Sequence, residues 1–566
     1  MVLENIVNQV IVLFFFSGAY FLGRILFDNF LFAVASGMSV LALTIYCVFL
    51  IFGINLYSVC FIYFVILLVI ITSSIICRHK VMSFCLRDVR SFISFNNLLR
   101  LEFLIPASFL FIHFIKSAFP LSDQDSISHY SYLVKLYISG GDFEAGNILL
   151  HGKIPLLHTA LVTFLAYFGT LEISSIFNFY LLLSIILSLY KMCELFSVKD
   201  KIGSNSFCLI ACVLLASPLM NFIVATGRPY VLIACFCTSL LYFLLENIEK
   251  RKSDSLYIVF IALVGGALVS STQLGLAVFG CLYIALFIAN CNSGIWNKSI
   301  QLILVSGLLT AAYALPFYLR VYFVTGNPLG CVQGLEFSVN EFSGFVGIVK
   351  SLFILSIRHN QAGQSVCIGI LYLSFLPILS IAIIKRRVWE KRQYLLLLVF
   401  IILYYAVWLT KIPQARSLIG IFPPYLLLLY LLIDLRRCLY KYSIYLFSGV
   451  MLAYCVFQLS RFGYGDYLFS KQTKADFVCS VVSAWHRGDV SLDEMNEVVN
   501  YIHSNFPEYH IVFSKEVLPL TLLKNKVVRL GSRKHSPKSL LLCTSSTPQT
   551  YKLIKQFKRH TLYEYK

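Results

Sequence analysis

Asp123 and Asp125 stand two residues apart in the stretch Ser122-Asp-Gln-Asp-Ser-Ile-Ser-His-Tyr130, and Lys135, Asp142, Glu144 and His151 follow in the same polar segment. A carboxylate in such a pair can act as general base on an acceptor hydroxyl, or the two can hold a divalent metal such as Mg2+ or Mn2+. Either aspartate can instead cap a helix, because its side chain accepts from the free backbone N–H groups of a first turn. A base also needs a counterpart that handles charge on a leaving group. Arg228, Arg320, Lys411 and Arg416 are cations at or near the ends of apolar runs. The planar fork of arginine suits phosphate oxygens, and charge close to hydrocarbon is costly unless it is paired or functional. Taken singly, each of these residues could equally be a long side chain reaching for the headgroups.

The elements that must position these groups are membrane helices. Hydrophobic residues make up 59% of the 566 residues and charged residues 13%, where soluble domains carry roughly 25% charged residues. A chain of mean hydropathy +0.80 needs the bilayer as its solvent. The net charge of +19 does not point to nucleic acid, because Lys and Arg gather in short clusters between apolar runs, as they do in cytoplasmic loops. The 17 cysteines lie mostly in apolar stretches and form no CxxC pair or zinc spacing. Met1-Val-Leu-Glu4 offers no basic region before the first apolar run, which reads as a permanent helix and not as a signal peptide.

Spanning takes about 20 apolar residues. Suitable runs fall near residues 5–23, 31–52, 56–76, 101–118, 172–191, 206–225, 229–247, 256–272, 274–291, 299–319, 366–385, 394–411, 416–434 and 442–460. Two further apolar segments, 153–170 and 343–357, read as interfacial or re-entrant. The expected fold is an all-α polytopic membrane protein of about fourteen transmembrane helices plus interfacial helices. Basic clusters at Arg78–Arg100, Lys250–Lys252, Lys385–Arg392 and Arg436–Lys441 then share one side, which is cytoplasmic by charge. Both termini and the first large outer loop, 119–171, fall on the opposite side.

Residues 1–460 form the transmembrane domain on this reading. Residues 461–566 change character and read as a small C-terminal α/β extracytoplasmic domain. Ser491-Leu-Asp-Glu494 has the form of a capping box before Met495, Val498, Val499 and Ile502. The stretches 510–514, 527–530 and 540–543 predict short strands, and 548–557 predicts another helix.

With these residues in place, a resemblance emerges. Asp125-Ser-Ile-Ser-His-Tyr130, with Lys135 and Gly140 after it, resembles the first outer loop of the GT-C superfamily, membrane glycosyltransferases that use polyprenyl-phosphate sugars. The family's Tyr-His order is inverted here to His129-Tyr130. Arg320 followed by Thr325-Gly-Asn-Pro328 is similar to a second landmark of the family, and Gln414-Ala-Arg416 before Pro423 to a third. Gly265-Gly-Ala-Leu-Val-Ser-Ser-Thr272 resembles its small-residue helix end. The chain departs at Thr226-Gly-Arg-Pro-Tyr230, where members often place Asp after Thr-Gly, at Gln273 in place of Lys, and at Pro155-Leu-Leu-His158 in place of a Glu-bearing segment. These departures bear on substrate choice and on whether the chain is active.

The resemblance implies an inverting transfer on the outer face of a bacterial inner membrane. A sugar would pass from a polyprenyl-phosphate donor to a glycan, lipid or protein acceptor, among membrane lipid. Asp125 would be the base, and Asp123 its assistant or, with Asp125, a metal ligand. Arg320 and Arg416 would stabilise the departing phosphate, with His129, Tyr130, Lys135, Arg228 and Lys411 as further substrate or lipid-phosphate contacts. No cofactor is implied beyond a divalent metal. Two rival readings remain: a lipid-linked polysaccharide polymerase or ligase, which would lean on outer-loop arginines, and a transporter or flippase, which would more often show internal repeats.

Overall fold

In the computed structural model, described residues are 2–76, 101–121, 126, 130–144, 150–200, 204–250, 255–291, 296–330, 369–411, 415–435, 437–461 and 463–469, with shorter stretches of the tail: 477–478, 497–498, 501–502, 504–506, 509–513, 527–529, 539–543, 551–556 and 561–565. Asp123, Asp125 and His129, the expected segment 343–357 and the capping box at 491–494 lie outside them.

Among the described residues nine helices are long and apolar enough to cross a membrane. They are α1 (Val2–Arg24), α2 (Phe30–Phe52), α3 (Leu56–Ile76), α7 (Ile173–Asp200), α10 (Tyr230–Lys250), α12 (Gln273–Cys291), α13 (Trp296–Thr325), α15 (Arg392–Lys411) and α17 (Cys438–Arg461). The other expected runs are shorter or broken helices. Three are α4 (Leu101–Ser117), α11 (Ser255–Ser271) and α14 (Ile370–Lys385). The run at 206–225 divides into α8 (Ser204–Leu215) and α9 (Pro218–Ile223). Pro218 has no N–H and biases the residue before it away from helix, which forces the break. The carbonyl of Leu215 freed there is taken by Asn221, whose Nδ2 donates to it at 3.0 Å. The run at 416–434 begins as a 3-10 turn, Ala415–Ile421, before α16 (Phe422–Leu432) with its paired prolines in the first turn.

Between the outer helix ends run α5 (Ser131–Gly140) and α6 (Leu157–Ala166). Every residue of α6 is buried, and Phe164 meets Phe15 of α1 and Tyr63 of α3. The segment expected to be interfacial or re-entrant is thus a ten-residue helix covered by protein.

The helices pack through small residues, as membrane helices do when close backbone approach supplies the dispersion energy. Gly266 shows why the small-residue end of α11 is needed. A Cβ there would lie 2.5 Å from the ring of Tyr313 on α13, and the Tyr313 hydroxyl donates to Ser39 O of α2 at 2.6 Å. The opposite ends are tied by polar side chains. Gln393 Nε2 donates to Glu249 Oε2 (2.8 Å), Arg392 Nε to Asn290 Oδ1 (2.8 Å) and Arg386 Nη1 to Leu431 O (3.1 Å). The basic segment 385–392 therefore shares an end with the closing residues of α10, α12 and α16.

The tail holds a five-stranded sheet of order β2-β1-β3-β5-β4. Its strands are β1 (His510–Phe513), β2 (Val527–Arg529), β3 (Ser539–Cys543), β4 (Tyr551–Gln556) and β5 (Thr561–Tyr565). β2 and β3 flank β1 in parallel, whereas β5 runs antiparallel to β3 and to β4. The helix expected over 548–557 is corrected here. Tyr551–Gln556 is a strand because β5, rich in β-branched and aromatic residues, gives it an antiparallel partner. β2 adjoins α5. Phe119, just past α4, packs its ring on Tyr464 and Tyr467 of α18 (Tyr464–Leu468) and on Phe477.

If the basic end is cytoplasmic, residues after 470 face outward. A cysteine introduced at Ser470 is expected to react with an impermeant maleimide from outside spheroplasts. Labelling only after the inner membrane is opened would reverse the topology.

Candidate active site

Ser126 of the aspartate stretch lies among the described residues. Ser126 is buried, and its Oγ accepts from Gly227 N at 2.9 Å. Gly227 belongs to the turn Thr226-Gly-Arg-Pro229 between α9 and α10, which Asn178 of α7 fastens by donating to Thr226 O (2.6 Å) and Arg228 O (3.2 Å). Glycine leaves room for this approach. A Cβ at Gly227 would lie 3.0 Å from Ser174 Oγ, 3.4 Å from Ser131 Oγ and 3.6 Å from Leu121 Cδ1. Ser126, the start of α5 and the 226–229 turn are thereby packed into one unit.

Two arginines flank that turn. Arg228 is 2% exposed and its guanidinium carbon lies 5.2 Å from the centroid of the Phe222 ring. Arg416, half-buried in the 3-10 turn before α16, places its guanidinium carbon 5.7 Å from the ring of Tyr230, the first residue of α10. Tyr404 of α15 steadies this second turn by donating to Ser417 O at 2.6 Å. Tyr230 is thus the ring between the Arg228 turn and Arg416, and the break that frees α9 from α8 is what puts Phe222 under Arg228.

Arg320 is placed differently. It is 9% exposed, and its Nη1 donates to Gly152 O at 2.9 Å while Nη2 donates to Phe143 O at 3.0 Å. Its guanidinium also lies over the Phe143 ring, which stacks on Tyr46, and Tyr46 on Phe317. Burial holds the Tyr137 phenol well above its usual range, with the charge of Arg320 opposing that shift, so Tyr137 stays a neutral wall. Arg320 therefore braces Phe143 and Gly152 against α13. Removing it leaves two carbonyls unmatched in a buried place, a cost of about 2–4 kcal/mol. Arg320→Ala is expected to lower the thermal midpoint and to raise hydrogen exchange selectively over residues 141–153. Unchanged exchange there would end this account of Arg320.

The Thr-Gly-Asn-Pro landmark folds on itself. Thr325 Oγ1 donates to Val321 O (2.7 Å) and accepts from Asn327 N (3.1 Å), while Asn327 Oδ1 accepts from Leu329 N (3.0 Å). Asn327 shapes the loop, and Gln273, where the family often has Lys, donates its side-chain amide to Leu329 O across from it. Asp142 Oδ1 accepts from Glu144 N at 2.9 Å, and both carboxylates are exposed. That pair makes a local turn.

Tyr130 is half-buried immediately before α5, and Lys135 is half-buried on α5. Lys411 closes α15, but its side chain lies outside the described residues. Among the described residues no group of three His, Cys, Asp or Glu side chains could hold a metal. Ser126, Gly227, Asn178 and Tyr230 were not singled out from sequence. Their contributions are a buried hydroxyl, a missing Cβ, an amide aimed at carbonyls and a ring face, and none has a spacing signature.

No family model matches the chain, and no curated protein matches it. Among solved structures the chain is similar to ArnT from Cupriavidus metallidurans bound to undecaprenyl phosphate, with a TM-score of 0.51 and 13% identity over 81% of this chain and 97% of that one. The apo state of the same protein aligns with a TM-score of 0.50 over the same shares. At that identity the likeness establishes architecture alone: the chain shares the polytopic helical fold of that protein.

Proposed function

We propose that this chain is a GT-C membrane glycosyltransferase that moves a sugar from a polyprenyl-phosphate-linked donor to an acceptor hydroxyl on the outer face of a bacterial inner membrane, with inversion. The observation that carries the reading is the Ser126–Gly227 hydrogen bond, which joins the Asp125 segment to the turn bearing Arg228 and, through Tyr230, to Arg416. A proton acceptor and guanidinium groups on one outer unit are what attack at an anomeric carbon requires. The fold shared with a protein solved with undecaprenyl phosphate supports the lipid-linked donor.

In this reading the Asp125 carboxylate takes the proton of the acceptor hydroxyl as its oxygen bonds to the anomeric carbon. The bond from that carbon to the phosphate oxygen breaks, and the polyprenyl phosphate leaves with the electron pair. Arg416 and Arg228 offset the charge that develops on it. Arg320 has two donors committed to backbone carbonyls, so its part is to hold Phe143 and Gly152 in place. Asp123 assists Asp125, or the two share Mg2+ or Mn2+, which would lower the pKa of the acceptor hydroxyl. His129, Tyr130 and Lys135 follow the same segment in sequence, Lys411 closes α15 before the Arg416 turn, and all four are substrate contacts on this reading.

The test is purified full-length protein in proteoliposomes, offered polyprenyl-phosphate-linked sugars singly with crude envelope acceptors. Release of free polyprenyl phosphate coupled to appearance of a glycosylated acceptor supports the reading. Translocation of the intact donor with no bond cleavage would replace it with the flippase reading.

A further inference from the structure

A second buried polar cluster lies on the other side of α9. Lys116 and His113 stand one turn apart on α4, toward the α8–α9 break and the outer part of α17. His113 is fully buried, and its ring, beside the Leu215 carbonyl, makes no hydrogen bond through either nitrogen. Lys116 is 8% exposed, with the Cys455 thiol of α17 as its electrostatic neighbour. Cys455 donates to Asn221 Oδ1 at 3.3 Å, and Asn221 Nδ2 donates to Leu215 O and Ser217 O. No carboxylate among the described residues pairs with Lys116.

A lysine that reached for headgroups would be exposed at the helix surface. Lys116 is turned inward and covered by protein. An uncompensated ammonium in that setting costs several kcal/mol unless an anion joins it. The unspent donors are the ammonium N–H groups and one imidazole N–H, a set that matches phosphate oxygens. The same two helices carry apolar side chains on their outer surfaces: Phe111 and Phe114 on α4, and Tyr454 and Phe457 on α17, are exposed. Anions available at the end of a membrane helix, with hydrocarbon attached, are lipid phosphates.

We infer that Lys116 and His113 form a binding site for the phosphate of a membrane lipid, separate from Arg416 and independent of the reaction at Asp125. The headgroup lies at Lys116 and the chain runs along the exposed aromatic side chains of α4 and α17. A polyprenyl monophosphate and an ordinary anionic phospholipid present the same chemistry to this site.

Native mass spectrometry of delipidated full-length protein tests it, with a short polyprenyl monophosphate and phosphatidylglycerol as separate probes. Wild type is expected to retain a phosphate lipid that Lys116→Met loses, with apparent affinity at least tenfold weaker in the variant, and Lys116→Arg is expected to restore most of it. Retention of the monophosphate alone identifies a carrier site, and retention of both probes a general headgroup site; either supports the inference. Equal retention by wild type and Lys116→Met, or retention of neither probe by wild type, overturns it. The thermal midpoint of lipid-free Lys116→Met should equal or exceed that of wild type, because the variant removes an unmatched charge. A fall, or failure to fold, would make Lys116 a structural residue and end the proposal. Loss in Arg416→Ala with Lys116→Met unaffected also overturns it while leaving the proposed reaction standing. Loss in Lys116→Met with Arg416→Ala unaffected leaves this site standing and removes support from the donor site.

Discussion

Asp125→Asn is expected to abolish sugar transfer while leaving expression and the thermal midpoint nearly unchanged. Asparagine keeps the size of the side chain and accepts hydrogen bonds, but it cannot take a proton from a hydroxyl. Its neighbour Ser126, whose hydroxyl accepts from Gly227 N, is unchanged in the variant. The loss should therefore fall on turnover. A positioned general base contributes about 10²–10⁴-fold, enough to silence a cellular assay. Asp123→Asn should cost less if Asp125 acts alone. If Mg2+ or Mn2+ bridges the pair, both variants should fail alike and a chelator should reproduce them in wild type, with recovery on adding the metal back. Normal glycosylated product from the Asp123→Asn/Asp125→Asn double variant would sink the site while leaving the membrane architecture intact.

What could be read from the sequence, and what could not, follows from where each signal resides. Membrane helices announce themselves because apolar composition over about 20 residues is a property of the chain alone, and α1, α2, α3 and α10 fall close to the expected limits. The Thr325–Pro328 landmark was legible for a similar reason: its threonine and asparagine side chains bond to their own backbone within a few residues. The bracing role of Arg320 was not legible, because its partners are carbonyls of Phe143 and Gly152, groups every residue has. The run at 206–225 looked continuous in hydropathy, although Pro218 breaks it and so sets both Phe222 under Arg228 and Asn221 against Cys455. Tyr551–Gln556 was read as a helix because its pairing with Thr561–Tyr565 is a tertiary fact that local periodicity does not carry. Elements specified by local composition were predictable, and contacts between backbone groups far apart in sequence were not.

Arg416→Ala is expected to lower turnover with the phosphate-linked donor by about 10²–10³-fold, the usual cost of deleting a preorganised donor aimed at developing negative charge. The position of this residue makes the loss one of chemistry more than of folding. Its turn is held by Tyr404 through Ser417 O and by the prolines that open α16, none of which depends on the guanidinium. One contact the variant gives up is that with the Tyr230 ring, at 5.7 Å, worth about 0.5–1 kcal/mol at a partly exposed site. Arg416→Lys should recover only part of the rate, since an ammonium supplies charge without the paired, planar N–H groups that match two phosphate oxygens. Tyr230→Leu supplies a control with a distinct signature: the guanidinium remains but loses its platform, so turnover should fall less than in Arg416→Ala, and Arg416→Ala added to it should cost less than the product of the two single losses. Steady-state rates for the four proteins, with donor binding measured separately, decide the matter. If Arg416→Ala raises the KM for donor and leaves kcat untouched, Arg416 binds the ground state uniformly, and the charge on the departing phosphate must be met by Arg228.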